Sequence, residues 1–246
     1  MNKEFSIKEA AILLDISIQT LRRWDKSGRF IAQRKKIGKV SRYYYRENDI
    51  EDLLATNFPS LLKVAKKWAL DSAPPELPRR FYCPDSSIFK ARLSGFEYNL
   101  SQDPKLAKIF PLIVAVTGEI GNNSFDHNLG NWPDVPGIFF GYNLNQKEVI
   151  LADRGQGFLK TLQRVRPSLS DYSEALKVAF TEFLSGRSPE KRGNGLKYVR
   201  EVVLNYHFKL FLQSGDAFLN LSKRNKTIKI NTAQNFIQGS YTLISY

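Results

Sequence analysis

One cysteine, Cys83, stands in 246 residues. A lone thiol closes no intrachain disulfide and cannot fill a Cys-rich metal site, which suits a reducing cytosol. Long apolar runs are missing as well. No stretch of about 18 apolar residues occurs, which excludes a transmembrane helix. The first residues, MNKEFSIKEA, lack the apolar core of a signal peptide. A cytoplasmic chain with no membrane partner is therefore expected. Internal repeats and low-complexity tracts are absent too. What is present is 42% hydrophobic and 13% aromatic residues, a composition that builds a core and argues against disorder. The length allows one large domain or two unequal ones. The net charge of +13 fits either a basic, soluble surface or a polyanionic partner, and its distribution decides between them.

Residues 1–55 read as a small unit of their own. Ser6 to Leu14 has the pattern of a short amphipathic helix capped by Ser6. Asp15-Ile16 makes a tight turn, and Ser17 caps a second helix, Ile18 to Lys26, closed by Gly28. Strand-like pieces follow at Phe30–Ile37 and Val40–Tyr45, joined at Gly38-Lys39. A last short helix runs from Glu47 to Leu54. Between Arg29 and Arg46 there are seven Lys or Arg and no acid, with Tyr43, Tyr44 and Tyr45 among them. On the second helix, Gln19, Thr20, Arg22 and Arg23 have the chemistry to bond base edges in a major groove. Arg34, Lys35, Lys36, Lys39 and Arg42 on the hairpin can hold phosphates.

Those elements outline a winged helix-turn-helix. Over roughly residues 5–54 the sequence resembles the MerR and excisionase type of that domain, through Ala10-Ala11, Ser17, Thr20-Leu21-Arg22-Arg23-Trp24, Gly28 and the closing Tyr45. The resemblance implies double-stranded DNA as a partner and a homodimer on paired half-sites. It also makes Trp24 part of the domain's core.

A helical pattern at Pro59–Leu70 and the run Ser72-Ala73-Pro74-Pro75-Glu76-Leu77-Pro78, which no helix continues through, mark 56–78 as a helical linker. From 79 to 246 helices are expected around 104–128, 171–184 and 195–204. Strands are expected at 137–143, 147–152, 208–214, 216–222, 226–231 and 240–246, mostly as antiparallel hairpins. The fold class is thus α+β, with an α/β domain of largely antiparallel strands after the winged domain.

Three motifs lie in this second part. Glu119, Asn123 and His127 recur every four residues in VTGEIGNNSFDHN, one polar stripe on a helix. VILADRGQGF ends a strand in Asp153-x-Gly155-x-Gly157, and KRGNGLKYVREVV opens a helix with Gly193 and Gly195. An aspartate at a strand end can accept from the exocyclic amine of adenine, and glycines leave room for its ring. A helix start suits phosphates, with Lys191 and Arg192 adding charge. The oxygen of Asn123 suits Mg²⁺, and Glu119 suits activation of a water or hydroxyl near a γ-phosphate. His127 reads as a packing residue and His207 as structural. Gly121 is costly inside a helix, and the expected reason is the close approach of a nucleotide or a neighbouring element.

In order and spacing the set resembles the GHKL superfamily of ATP-binding domains, which includes gyrase, a class of heat-shock chaperone, histidine kinases, mismatch-repair ATPases and anti-sigma-factor kinases. Glu119, Asn123, Ser124 and His127 match its N box; Asp153, Gly155 and Gly157 match the first glycine box; Gly193, Asn194, Gly195 and Leu196 match the second. Over most of 100–246 the resemblance implies an α/β sandwich, a mixed, mostly antiparallel sheet covered by helices. ATP and Mg²⁺ would lie under a lid between Phe158 and Arg192, with Asn123 as the metal ligand, Asp153 as the adenine contact and Glu119 as the base. A third glycine of the second box is lacking, and no helical hairpin bears a phosphorylatable histidine, so a sensor histidine kinase is not expected. The joint reading is a DNA-binding regulator with an ATP-dependent switch. Its alternatives are an anti-sigma-type serine/threonine kinase or ATPase acting on a protein partner, and a pocket that only binds.

Overall fold

Ser6 ends a three-residue strand, β1 (Glu4–Ser6), and caps helix α1 (Ile7–Leu14). Its Oγ accepts from the Glu9 N–H, while the Glu9 carboxylate accepts from the Ser6 N–H at 2.7 Å, a reciprocal capping box. Those bonds hold the Glu9 pKa below the usual carboxylate value. Asp15 closes α1 in the left-handed region at φ 52°. Ser17 then caps α2 (Ile18–Lys26), accepting from the Thr20 N–H at 3.0 Å. Two strands follow, β2 (Gln33–Ile37) and β3 (Val40–Arg46), then α3 (Glu47–Thr56) and α4 (Phe58–Leu70). Gly38 takes φ +62° at the first position of the two-residue β2–β3 loop, as a type II′ turn requires. β1, β3 and β2 form an antiparallel sheet in that order.

This computed structural model describes residues 3–184, 194–225 and 227–246. The chain divides into two compact units, Met1–Tyr82 and Cys83–Tyr246. Residues 58–70, assigned to a linker from the sequence, form α4 and bury Leu61, Val64, Ala65 and Trp68 within the first unit. The chain past the proline run is also tied to that unit: the N–H groups of Arg79 and Arg80 donate to the Glu47 and Glu51 carboxylates at 2.9 and 2.8 Å.

The second unit is a five-stranded sheet under a layer of helices. Its strands are β4 (Tyr82–Cys83) at the boundary, β5 (Ile138–Asn143), β6 (Glu148–Asp153), β7 (Lys209–Ser222) and β8 (Ile230–Ser245), in the order β4-β5-β6-β8-β7. The β5–β6, β6–β8 and β7–β8 pairs are all antiparallel. The helices are α5 (Ser86–Ser101), α6 (Phe110–Asn128), α7 (Gly157–Gln163), α8 (Tyr172–Thr181) and α9 (Gly195–Asn205). Alternate strand residues, Ile138 and Phe140, Val149 and Leu151, Leu210 and Leu212, join Ile113, Val116, Leu176, Phe180, Val199 and Val203 of the helices in one core. The fold class is α+β, as the sequence leads one to expect. Among the described residues no helix is long and apolar enough to cross a membrane.

One sequence reading needs correction, and another is decided between its two alternatives. The stretch assigned to a lid contains α7 and α8, whose Leu162, Ala175, Leu176 and Phe180 belong to the core; its remainder, 185–193, lies outside the described residues. Gly121 faces no ligand space. A Cβ there would lie 2.2 Å from the Phe89 ring of α5, so a neighbouring helix is what requires the glycine.

Candidate functional site

α6 carries Glu119, Asn123 and His127 in line, with Ile120, Ser124 and Asn128 beside them, and all six line one cavity of ≈ 330 Å³. Its other walls come from Asp153 at the end of β6, Gly157 and Phe158 at the start of α7, Asn194 to Lys197 at the start of α9, and Ser240 of β8. A volume near this figure is at the lower end for small-molecule sites.

Asp153 is 3% exposed and is held by hydroxyl and backbone donors. Ser124 Oγ and Ser240 Oγ donate to its Oδ2 at 2.8 and 2.5 Å, and the Gly155 N–H donates to its Oδ1 at 2.8 Å. Burial pushes its carboxyl above the ordinary aspartate range, and these donors pull against that shift. Ser240 is opposite Asp153 in the β6–β8 register, so strand pairing itself sets this contact.

The turn after Asp153 is fastened to α6 by Asn128. The Asn128 Oδ1 accepts from the Gln156 N–H at 2.7 Å, and its Nδ2 donates to the Ser124 carbonyl at 2.7 Å. That amide fills the space beside Gly155, where a Cβ would come within 2.1 Å of it. Gly155 is therefore glycine because Asn128 packs on it, and it does not line the cavity. Gly157 does line it, at φ +72°, and a Cβ there would lie 2.6 Å from the Gln238 carbonyl oxygen and 2.9 Å from Ser214 Oγ. Gly195 lies against Glu119: a Cβ there would meet Oε2 at 2.2 Å. The carboxylate of Glu119 thus abuts the first residue of α9, and it also raises the pKa of the nearby Tyr198, after the effect of burial.

The structure accordingly collects Glu119, Asn123, Asp153, Gly157, Asn194, Gly195 and Leu196 around one cavity and leaves Gly155 outside it. Lys191, Arg192, Gly193 and Arg187 lie outside the described residues. Asn128, Ser240 and Lys197 went unread in the sequence. Ser240 sits among polar residues, QGS, with nothing local to mark it. Asn128 extends the α6 stripe by one residue past His127, the only signal that points to it.

In the first unit, α2 buries Leu21 and exposes Gln19, Arg22, Arg23 and Lys26. Thr20 is half-buried, its hydroxyl 3.0 Å from Ser17 Oγ at the helix cap. Asp25, with a side chain 5% exposed, accepts from the Ala32 N–H at 2.9 Å and pairs with Arg34 at 2.7 Å. The hairpin is thereby pinned to α2. Lys35 pairs with Glu4. Arg34 and Lys35 are therefore partly neutralised within the unit, whereas Lys36, Lys39 and Arg42 are exposed and form no ion pair among the described residues. Trp24 is half-buried beneath the Arg29 guanidinium, 4.3 Å from its ring centroid.

Residues 4–57 match the family model of a helix-turn-helix domain. Comparison with curated proteins and with solved structures gave no match. The match spans β1 to α3, so the helix-turn-helix domain includes the pinned hairpin, and DNA binding is the function such a domain points to. Pairing alternates the hairpin's basic residues between its faces: Arg34 and Lys36 share one, Lys35 and Arg42 the other.

Proposed function

We propose that this chain is a DNA-binding transcriptional regulator whose second unit binds ATP with Mg²⁺ and thereby switches the first. The observation that carries the reading is the shared cavity of Glu119, Asn123, Asp153 and the start of α9. Asp153, a carboxylate on the cavity wall, suits the exocyclic amine of adenine as its acceptor. The N–H groups of the first turn of α9, which no bond within a helix uses, suit the phosphates, and the amide oxygen of Asn123 suits a metal bound to them. Among the described residues no group of three or more His, Cys, Asp or Glu could hold an ion. That agrees with Mg²⁺, which keeps much of its coordination from substrate phosphates and water. The DNA-bound form is proposed as a homodimer on paired half-sites.

Titration calorimetry with ATP and Mg²⁺ tests the reading. Wild type is expected to bind and Asp153→Asn to lose binding. Equal binding by the two removes Asp153 from the site; no heat and no thermal shift with wild type removes the nucleotide. A second reading, transfer or hydrolysis of the γ-phosphate, is favoured by Glu119, whose carboxylate lines the cavity and takes part in no ion pair among the described residues. Release of labelled phosphate, or its transfer to a separate protein, would distinguish the two fates, and Glu119→Gln should abolish both.

A further inference from the structure

Lys197 lines the cavity from α9, two residues past Gly195. Its ammonium donates to the backbone carbonyl of Glu182 at 2.5 Å and lies 5.3 Å from the centroid of the Phe183 ring. Neither partner is an anion. The Glu182 carboxylate is engaged elsewhere, accepting from both terminal nitrogens of Arg166 at 2.5 and 3.2 Å. Lys197 forms no ion pair among the described residues. A lysine has three N–H donors, and a carbonyl oxygen uses one of them. Burial lowers the pKa of Lys197, the direction expected of a cation that has lost water without gaining a counter-charge. Such a group binds an incoming anion more strongly than a hydrated surface lysine does.

We propose that Lys197 is the anion-recognising residue of this cavity, exchanging the Glu182 carbonyl for a phosphoryl oxygen of the ligand. The proposal rests on the nucleotide reading of the site and assigns it a phosphate contact beyond the start of α9 and the charges of Lys191 and Arg192. It differs from a purely structural role, in which Lys197 only ties α9 to the chain after α8.

The experiment compares ATP, adenosine and inorganic tripolyphosphate on the full chain by titration calorimetry, in wild type, Lys197→Ala and Lys197→Arg, with thermal unfolding of each as a folding check. Lys197→Ala is expected to weaken ATP and tripolyphosphate at least tenfold, about 1.4 kcal/mol, while adenosine changes less than about twofold, below 0.5 kcal/mol on the same scale. Lys197→Arg should recover most of the loss. An equal fall for ATP and adenosine would leave only the structural tie, and unchanged affinities for both would remove Lys197 from ligand contact while sparing the nucleotide reading. Wild type that binds tripolyphosphate but not adenosine, with Lys197→Ala losing it, would keep Lys197 and overturn adenine recognition. Wild type that binds none of the three overturns both.

Discussion

Replacing Gly121 with alanine tests how α6, and with it the polar stripe of the cavity, is held. The added methyl would lie 2.2, 2.5 and 2.9 Å from three carbons of the Phe89 ring, where about 3.5–4.0 Å is the comfortable separation. Phe89 has little freedom to yield. It is fully buried, with its centroid 5.4 Å from that of Phe140 and 6.0 Å from that of Phe125. Overpacking of this kind costs about 1–3 kcal/mol, and an overlap above 1 Å places it at the upper end. Alanine recovers about 1 kcal/mol of helix propensity. A net loss of about 2 kcal/mol follows, which in a unit of this size lowers the melting temperature by about 4–8 °C. Thermal unfolding followed by circular dichroism measures it, with Gly95→Ala on the exposed face of α5 as the control. A Cβ at Gly95 meets nothing within 4 Å, so that variant should be as stable as wild type or more so. Phe89→Leu should rescue part of the Gly121→Ala loss, because the two changes act on one contact. Gly121→Ala melting at or above wild type, or no coupling with Phe89→Leu, would refute the account.

Asp153 gives a pH dependence whose sign is set by its raised pKa. A carboxyl that binds its proton more tightly when folded stabilises the fold below its unfolded pKa of about 3.9, and loses that contribution as pH rises through the folded value. The unfolding free energy of wild type minus that of Asp153→Asn, without ligand, should therefore fall as pH rises from about 4; a flat or rising difference counts against it. For DNA, the exposed cations of α2 and the hairpin that form no ion pair among the described residues include Arg22, Arg23, Lys26, Lys36, Lys39 and Arg42. If about six phosphates are neutralised, affinity should drop by about three decades between 50 and 200 mM salt. Neutralising Lys36 and Lys39 should weaken binding to all sequences, with Lys35→Ala milder, whereas Arg22 and Arg23 substitutions should reduce discrimination between sequences; gel-shift titrations over salt and sequence measure all three.

Local chemistry made much of this legible in the sequence. Ser6, Ser17 and Gly38 cap or turn as their side chains dictate, and α1, α2 and α3 are read correctly to within a residue or two. β1 escaped because three residues carry no period. α5 escaped because Phe89, Phe96 and Leu100 are spread thinly among polar residues and Gly95 interrupts them. β7 and β8 read as four short strands because Gly215 and the polar run 232–239 look like turns, whereas pairing across a bulge keeps each strand whole. The residue types of the cavity were legible, but their supports were not. Gly155, Gly121 and Ser240 owe their roles to whatever lies opposite them, Asn128, Phe89 and Asp153, and no spacing rule reaches across 30 or 90 residues.

The double anchorage of the hairpin by Asp25 settles how this domain can meet a duplex. Its helix α2 and basic hairpin are set at one separation before any encounter, so little ordering would remain to be done on contact. A duplex whose grooves do not match that spacing must itself bend or twist to fit, and the stiffness of the bases between the two footholds then contributes to selection without being touched.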